Sequence, residues 1–431
     1  MIRIHPHWES KCCGVEQMRE RFNREFTVFA VCWLTYVITY LCRVNFSSAM
    51  SKLSQVMKVN TTQLGTIGSS FFIVYAVGQL INGYIGDKIS PYKFVAVALF
   101  GTGILNFAIS CVDSYLLLMV FGTLNGYFQS MLWGPLMRIL SQHISPSHTV
   151  WVSTGMSTSM VVGYLTSWVM FGRCFLSRPW QTYFFVPALL ALAVALVWTV
   201  YLIFRREPAP AAAAPAAGAP ACQERYAGIF RSVAKYRLWL VAAVCLCMGL
   251  IKESLSLWSP MLMTEMLGLG EKDSLTVVGL IPLANLAGIM LTGRLMRKKN
   301  DAKKALSDLF FAAVLCCACL FFTQRFAAMA GGAALAAISG LMYGCNSLLL
   351  SYLPISFGGE NIVSSLVGLF DFSSYMGAAL SSILLGVALE HKRYTAVFSV
   401  WLVVLSIACL LTHFFKRRFL LLHEQRCPKA L

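Results

Sequence analysis

The segment Thr27-Val-Phe-Ala-Val-Cys-Trp-Leu-Thr-Tyr-Val-Ile-Thr-Tyr-Leu41 carries no charge, and Arg43 follows it after one cysteine. Hydrocarbon offers the backbone no hydrogen-bond partner, so an apolar stretch of this kind is satisfied only as a helix across a bilayer. The pattern recurs at Phe94 to Val112, at Tyr183 to Phe204 and, with His413 neutral, at Thr395 to Phe415. Composition agrees: of 431 residues 58% are hydrophobic and only 12% charged, with mean hydropathy +0.68. A water-soluble chain of this length needs a charged exterior that these residues cannot build. The pattern predicts an all-α membrane protein of about twelve spans. They are expected near 27–50, 63–86, 92–112, 115–142, 149–172, 181–204, 236–264, 275–296, 306–323, 328–356, 362–389 and 394–415.

The formal net charge is +17. In a soluble protein that would suggest nucleic acid, but here the basic residues lie between spans. Arg19, Arg21 and Arg24 precede the first span, and Arg205, Arg206, Arg225 and Arg231 follow the sixth. Arg297 to Lys304 follows the eighth, and Lys416 to Arg418 follows the last. With an even number of spans these all face one side, which the positive-inside bias makes the cytoplasm. Both termini are therefore expected there, and no nucleic-acid partner is. The N-terminus lacks the features of a cleaved signal peptide, so the first apolar run is expected to stay as an anchor. The 15 cysteines show no zinc or disulfide spacing and mostly fall within spans.

Pro208 to Pro220 is almost wholly Ala and Pro, a spacer with nothing to bury. It divides the spans into two sixes. Expected boundaries are a cytoplasmic segment 1–26, bundles 27–204 and 233–416, a linker 205–232 and a tail 417–431. The halves also echo one another. Gly83-Tyr-Ile-Gly-Asp87-Lys88 follows the second span and Gly293-Arg294-Leu-Met-Arg297 follows the eighth, as expected of parallel six-span repeats. Gly83 to Lys93 resembles the loop between spans two and three of the major facilitator superfamily, with Asp87 and Lys88 in its acidic and first basic places. Ser90 and Pro91 depart from the usual Gly-Arg. The resemblance implies two pseudo-symmetric six-helix halves, and a role in the conformational cycle for Gly83, Asp87, Lys88, Gly293 and Arg294.

Charges inside spans are costly and mark function. Arg43 lies late in the first span, Lys252 and Glu253 lie in the seventh, and Asp371 lies in the eleventh; Arg138 ends the fourth. Arg43 and Lys252 are 209 positions apart (252 − 43), near the repeat offset, so each half is expected to set one cation at the same depth. Two such cations suit an anion, Arg as a fork and Lys as a point charge. The alternative is that Lys252 pairs with Asp371 and only braces helices. Glu253 lies about 100° around the helix from Lys252 and is expected to face elsewhere. Glu253 or Asp371 could act as charge-pair partner or proton carrier. Tyr36, Tyr40 and Arg43 share a helix face, as do Tyr75 and Gln79, and these residues with Tyr375 are expected to line the substrate site.

Gly126-Tyr-Phe-Gln129…Trp133-Gly-Pro135…Arg138, Trp258-Ser259-Pro260, and Arg43 with Asn45-Phe46 resemble the organophosphate:phosphate antiporters, the glycerol-phosphate and hexose-phosphate carriers. The resemblance runs from Phe29 to about Phe398. It implies substrate contacts at Arg43, Asn45, Gln129 and Lys252, and at Tyr352, near the place of a family histidine. Lys252 keeps the charge of a family arginine but loses its fork. Gln79 replaces a family lysine, Ser153 to Gly163 lacks the family histidine, and Asp371 adds a negative charge. The buried cations and the resemblance together imply a carrier of a small anionic metabolite, with inorganic phosphate or protons as coupling ion. Three forms stay open: an organophosphate exchanger, a proton-coupled symporter, and a membrane sensor of the same fold. No nucleotide loop, nucleophile elbow or zinc motif points to an enzyme, and no cofactor or metal is expected.

Overall fold

The computed structural model describes residues 7–86, 89–145, 148–205, 234–235, 237–267, 274, 277–299, 301–323, 328–353 and 363–415. Every regular element among them is helical. Spans 1 to 3 are His7–Met57, Thr61–Gly86 and Pro91–Ser110. Span 4 is Tyr115–Ser130 followed by Trp133–His143, and span 5 is Thr149–Leu165, continued by a π-helical turn, Thr166–Phe171, and Gly172–Cys174. Span 6 is Thr182–Arg205, span 7 Leu238–Leu267, span 8 Leu280–Lys299 and span 9 Ala302–Thr323. Span 10 is Ala328–Asn346 with a π-helical turn at Ser347–Tyr352, span 11 is Val363–Glu390 and span 12 is Tyr394–His413. Among the described residues, nine helices are long and apolar enough to cross a membrane. Spans 4, 5 and 8 fall outside that set. Span 4 is broken in two, and the apolar part of span 8 is short, Leu280–Met296.

The helix that holds span 1 starts upstream of the membrane, at His7, and its membrane-crossing stretch is Asn23–Met57, close to the expected start at 27. One expectation needs correction. Span 4 is not continuous from 115 to 142 but breaks at Met131 and Leu132. Pro135 supplies the reason: it has no N–H for the carbonyl of Met131, four residues earlier, and its ring crowds that carbonyl. Of the expected linker 205–232 only Arg205 lies among the described residues, and the tail 417–431 lies outside them.

Exposed and buried apolar residues are distributed as lipid requires. Leu196, Val197, Ile203, Val403 and Leu410 are exposed on helix exteriors, while Trp168, Trp180, Trp258 and Trp401 are fully buried. Such an apolar exterior on a soluble protein would drive aggregation. Span 2 packs along span 11, span 5 along span 8, and span 1 against span 7, so each contact joins the two halves.

The junction of spans 2 and 11 is a ladder of small residues. Thr61 Oγ1 donates to the Gly386 carbonyl, Ser69 Oγ to Ala379 and Ser382 Oγ to Gly65, each at 2.8 Å. The glycines permit this approach. A Cβ on Gly65 would lie 2.5 Å from the Ser382 carbonyl oxygen, and one on Gly386 would lie 2.6 Å from that of Thr61. At the end of the ladder Glu390 accepts from Asn60 Nδ2 at 3.1 Å and from Thr62 Oγ1. Ser47 Oγ of span 1 donates to the Leu257 carbonyl of span 7, another tie between the halves.

Candidate functional site

Arg43 comes from span 1 into the seam between the halves and is boxed by rings. Its guanidinium carbon lies 4.3 Å from the ring centre of Tyr75, 5.3 Å from that of Tyr375, and 5.7 Å from those of Tyr40 and Phe71. Nη2 donates to Tyr375 Oη at 2.9 Å. Among the described residues no carboxylate lies within ion-pair distance of it. Ring faces offset part of the desolvation of this cation. Since a guanidinium has five N–H donors, most of its fork is left for an anion.

Lys252 comes from span 7, in the other half. Its Nζ lies 2.9 Å from Glu253 Oε1 and donates to Asn346 Oδ1 of span 10 at 3.0 Å. It sits 5.3 Å from the ring centre of Tyr343 and 5.8 Å from that of Tyr375. Tyr375 therefore stands between the two cations, bonded to one and facing the other. Hydroxyls continue the site: Ser256 Oγ lies 3.5 Å from Tyr343 Oη, which donates to Tyr164 Oη at 3.4 Å across the halves.

The Lys252–Glu253 contact corrects the expectation that these neighbours face apart. Their Cβ atoms do leave the helix about 100° apart. The four-carbon lysine stem and the shorter glutamate arm nevertheless swing together, because both are buried, at 5% exposure each, and a buried charge needs its counter-charge. Pairing of Lys252 with Asp371 is corrected too: among the described residues Asp371 makes no ion pair within 4.0 Å, and lies half-buried one turn before Tyr375.

The other expected residues divide into groups. The Tyr36, Tyr40 stripe is observed, with the Tyr36 ring centre 5.2 Å from that of Tyr40 and 4.7 Å from that of Trp133. Gln79 Nε2 donates to Tyr75 Oη at 2.9 Å and orients a wall of the Arg43 box. Asn45 and Gln129 are near Arg43 but committed elsewhere. Asn45 Nδ2 donates to Asn106 Oδ1 at 2.7 Å, and Gln129 Nε2 to the Cys42 carbonyl at 3.0 Å, which Asn125 Nδ2 also reaches at 3.3 Å. This amide cluster anchors span 1 one residue before Arg43. Tyr352 is half-buried against apolar neighbours and is not part of the cluster. The Lys252-facing residue is Asn346, six positions earlier and so about 9 Å away along the axis.

Asp87 and Lys88 lie outside the described residues. Gly83 is in the last turns of span 2, and Arg138 Nη1, at the end of span 4, donates to the Ile89 carbonyl just beyond it, at 3.3 Å. Gly293 and Arg294 are exposed, and a Cβ on Gly293 would meet no atom within 4 Å. Sequence reasoning missed Tyr343, Asn346, Tyr164, Asn106 and Asn125. Asn346 and Tyr343 share a face at i, i+3, and Asn125 and Gln129 at i, i+4, which are signals a search for polar pairs inside spans would have found. No group of three or more His, Cys, Asp or Glu able to hold a metal occurs among the described residues.

The family model described as Major Facilitator Superfamily matches residues 32–382. The chain is 24% identical to the membrane sensor protein UhpC of Salmonella typhimurium, covering 91% of each. It is 24% identical to the glycerol-3-phosphate transporter of Bacillus subtilis, covering 89% of each. It is 22% identical to a probable hexose phosphate transport protein of Chlamydia pneumoniae, again covering 89% of each. Among solved structures, the D-xylose-proton symporter superposes with TM-score 0.75 at 12% identity, over 92% of this chain and 99% of that one. A bacterial homologue of human Spinster, inward-facing and occupied, gives TM-score 0.71 at 15% identity, over 94% of this chain and 99% of that one. These two likenesses concern the fold.

Proposed function

The chain belongs to the Major Facilitator Superfamily, and we propose that it carries a small phosphorylated metabolite across the membrane, exchanging it for inorganic phosphate by alternating access of its two halves. One observation carries this: a cation from each half, Arg43 and Lys252, meets at the shared ring of Tyr375. The glycerol-phosphate and hexose-phosphate names of the relatives supply the substrate class. Arg43 supplies the fork for phosphate oxygens and Lys252 a point charge. An anion held by both would draw the halves together, and its release would let them part.

Proteoliposomes loaded with inorganic phosphate test the proposal. Uptake of a labelled sugar phosphate or glycerol phosphate that depends on internal phosphate is expected. Uptake driven by a proton gradient and indifferent to internal phosphate would replace exchange with symport. The relative named as a membrane sensor supports a second possibility, a receptor that binds such a ligand and moves little of it. Saturable binding without flux would establish that instead.

The chain is a multi-pass membrane protein. We place it in a bacterial cytoplasmic membrane with both termini and the linker on the cytoplasmic side, on the strength of the basic loops. Impermeant thiol reagents applied to intact cells should leave Cys222 unlabelled, and ready labelling there would reverse the topology.

A further inference from the structure

We propose that Glu253 is a built-in competitor for Lys252, so that a dianion occupies the site only when Glu253 takes up one proton. The inference rests on the anion site assigned above and adds its charge rule. The Lys252–Glu253 pair is buried, 2.9 Å long, and formed by adjacent residues of one helix. The tie from span 7 to span 10 is the separate hydrogen bond from Lys252 to Asn346, and the ion pair itself joins no two elements. Its effect is electrostatic: it neutralises the second cation of the site while no anion is present.

The surrounding groups complete the balance. Glu253 interacts electrostatically with Lys252 on its own span, with Arg43 and Tyr40 of span 1 and Tyr164 of span 5. It interacts likewise with Tyr343 of span 10 and with Asp371 and Tyr375 of span 11. Arg43 and Lys252 thus share the site with two carboxyl side chains, Glu253 and Asp371. A phosphate oxygen that takes Glu253's place on Lys252 Nζ leaves a carboxylate buried beside a second carboxylate and a bound anion. A buried charge whose partner has been taken is costly, and a proton removes that charge. One proton from solvent then joins Glu253, no covalent bond breaks, and on release the proton leaves as the ion pair re-forms. In phosphate exchange, each anion crosses with its proton and the two fluxes cancel.

Equilibrium binding of inorganic phosphate and of sulfate, read by thermal shift and calorimetry on the full chain, tests this. Sulfate keeps its charge between pH 5.5 and 8, so any pH dependence belongs to the protein. Wild-type sulfate affinity should rise as pH falls, approaching tenfold per unit, with proton uptake on binding. Glu253→Gln should bind either dianion at least tenfold tighter at pH 8 and lose the pH slope. If wild type binds phosphate and Glu253→Gln binds it no better, the competitor role is wrong while the transport assignment stands. If wild type binds no phosphate compound, the transport assignment fails; the competitor role then survives only if Glu253→Gln binds phosphate or sulfate, and falls if it binds neither. Should Glu253→Gln fail to fold, the wild-type pH slope decides alone, and a flat slope or no binding overturns the proposal.

Discussion

Arg43→Lys keeps the charge and removes the fork, so it separates two roles at one residue. With the planar guanidinium lost, phosphate-ester affinity should fall at least tenfold, about 1.4 kcal/mol, while expression and melting temperature hold. Unchanged affinity would mean that Arg43 serves packing in its aromatic box. Lys252→Arg should be tolerated within a few-fold. Lys252→Gln leaves Glu253 buried without its cation, a change that typically costs about 3–5 kcal/mol, so loss of stability alone says little about binding. Lys252→Gln with Glu253→Gln removes both charges. It should recover melting temperature but not exchange activity; recovered transport would reduce Lys252 to a counter-ion for Glu253. Arg43 and Lys252 were legible in the sequence because a charge in a span is rare and expensive. Glu253 was legible as a charge but not as a partner, since side-chain reach in a buried pocket overrode the direction of its Cβ.

At the scale of the element, the small residues between spans 2 and 11 make a demanding contact. Thr61, Gly65, Ser69, Ala379, Ser382 and Gly386 let backbone approach backbone and trade hydroxyl hydrogens for carbonyl oxygens. Gly65→Ala places a methyl 2.5 Å from a carbonyl oxygen that belongs to a helix and cannot yield. The melting temperature should drop, and crosslinking of cysteines placed at 62 and 390 should fall relative to the parent. An unaltered crosslinking yield would show that the ladder tolerates the methyl. Gly293→Ala, with open space around its Cβ, should leave melting temperature unchanged. The break in span 4 belongs to this scale too. Pro135 was in plain view, yet a hydropathy pattern that stays apolar through it carries no mark of the lost hydrogen bond.

For the whole molecule, alternating access requires the site to open to each side in turn, and the loop after span 2 is the sequence's contribution to that motion. Asp87→Asn should slow exchange while leaving equilibrium phosphate affinity within tenfold, since span 2 runs on for about three turns past Tyr75, the ring beside Arg43, before the loop that holds Asp87. A loss of affinity beyond tenfold would assign Asp87 to the anion site.

Hydropathy, charge placement and the Ala/Pro spacer determined by themselves that the chain is all-helical, membrane-embedded and split into two sixes. A bilayer excludes other backbone arrangements, and each helix satisfies its hydrogen bonds within its own segment. Tertiary structure alone decided which polar groups share a pocket. Tyr375, Tyr343 and Asn346 reach Arg43 and Lys252 from helices distant in sequence, and Asn45 and Gln129 turn away into an amide cluster with Asn106. Local periodicity fixes the face a residue occupies on its own helix. It does not fix which neighbouring helix that face meets, or at what depth; between spans 2 and 11 that depends on how closely their glycines and serines let the backbones approach.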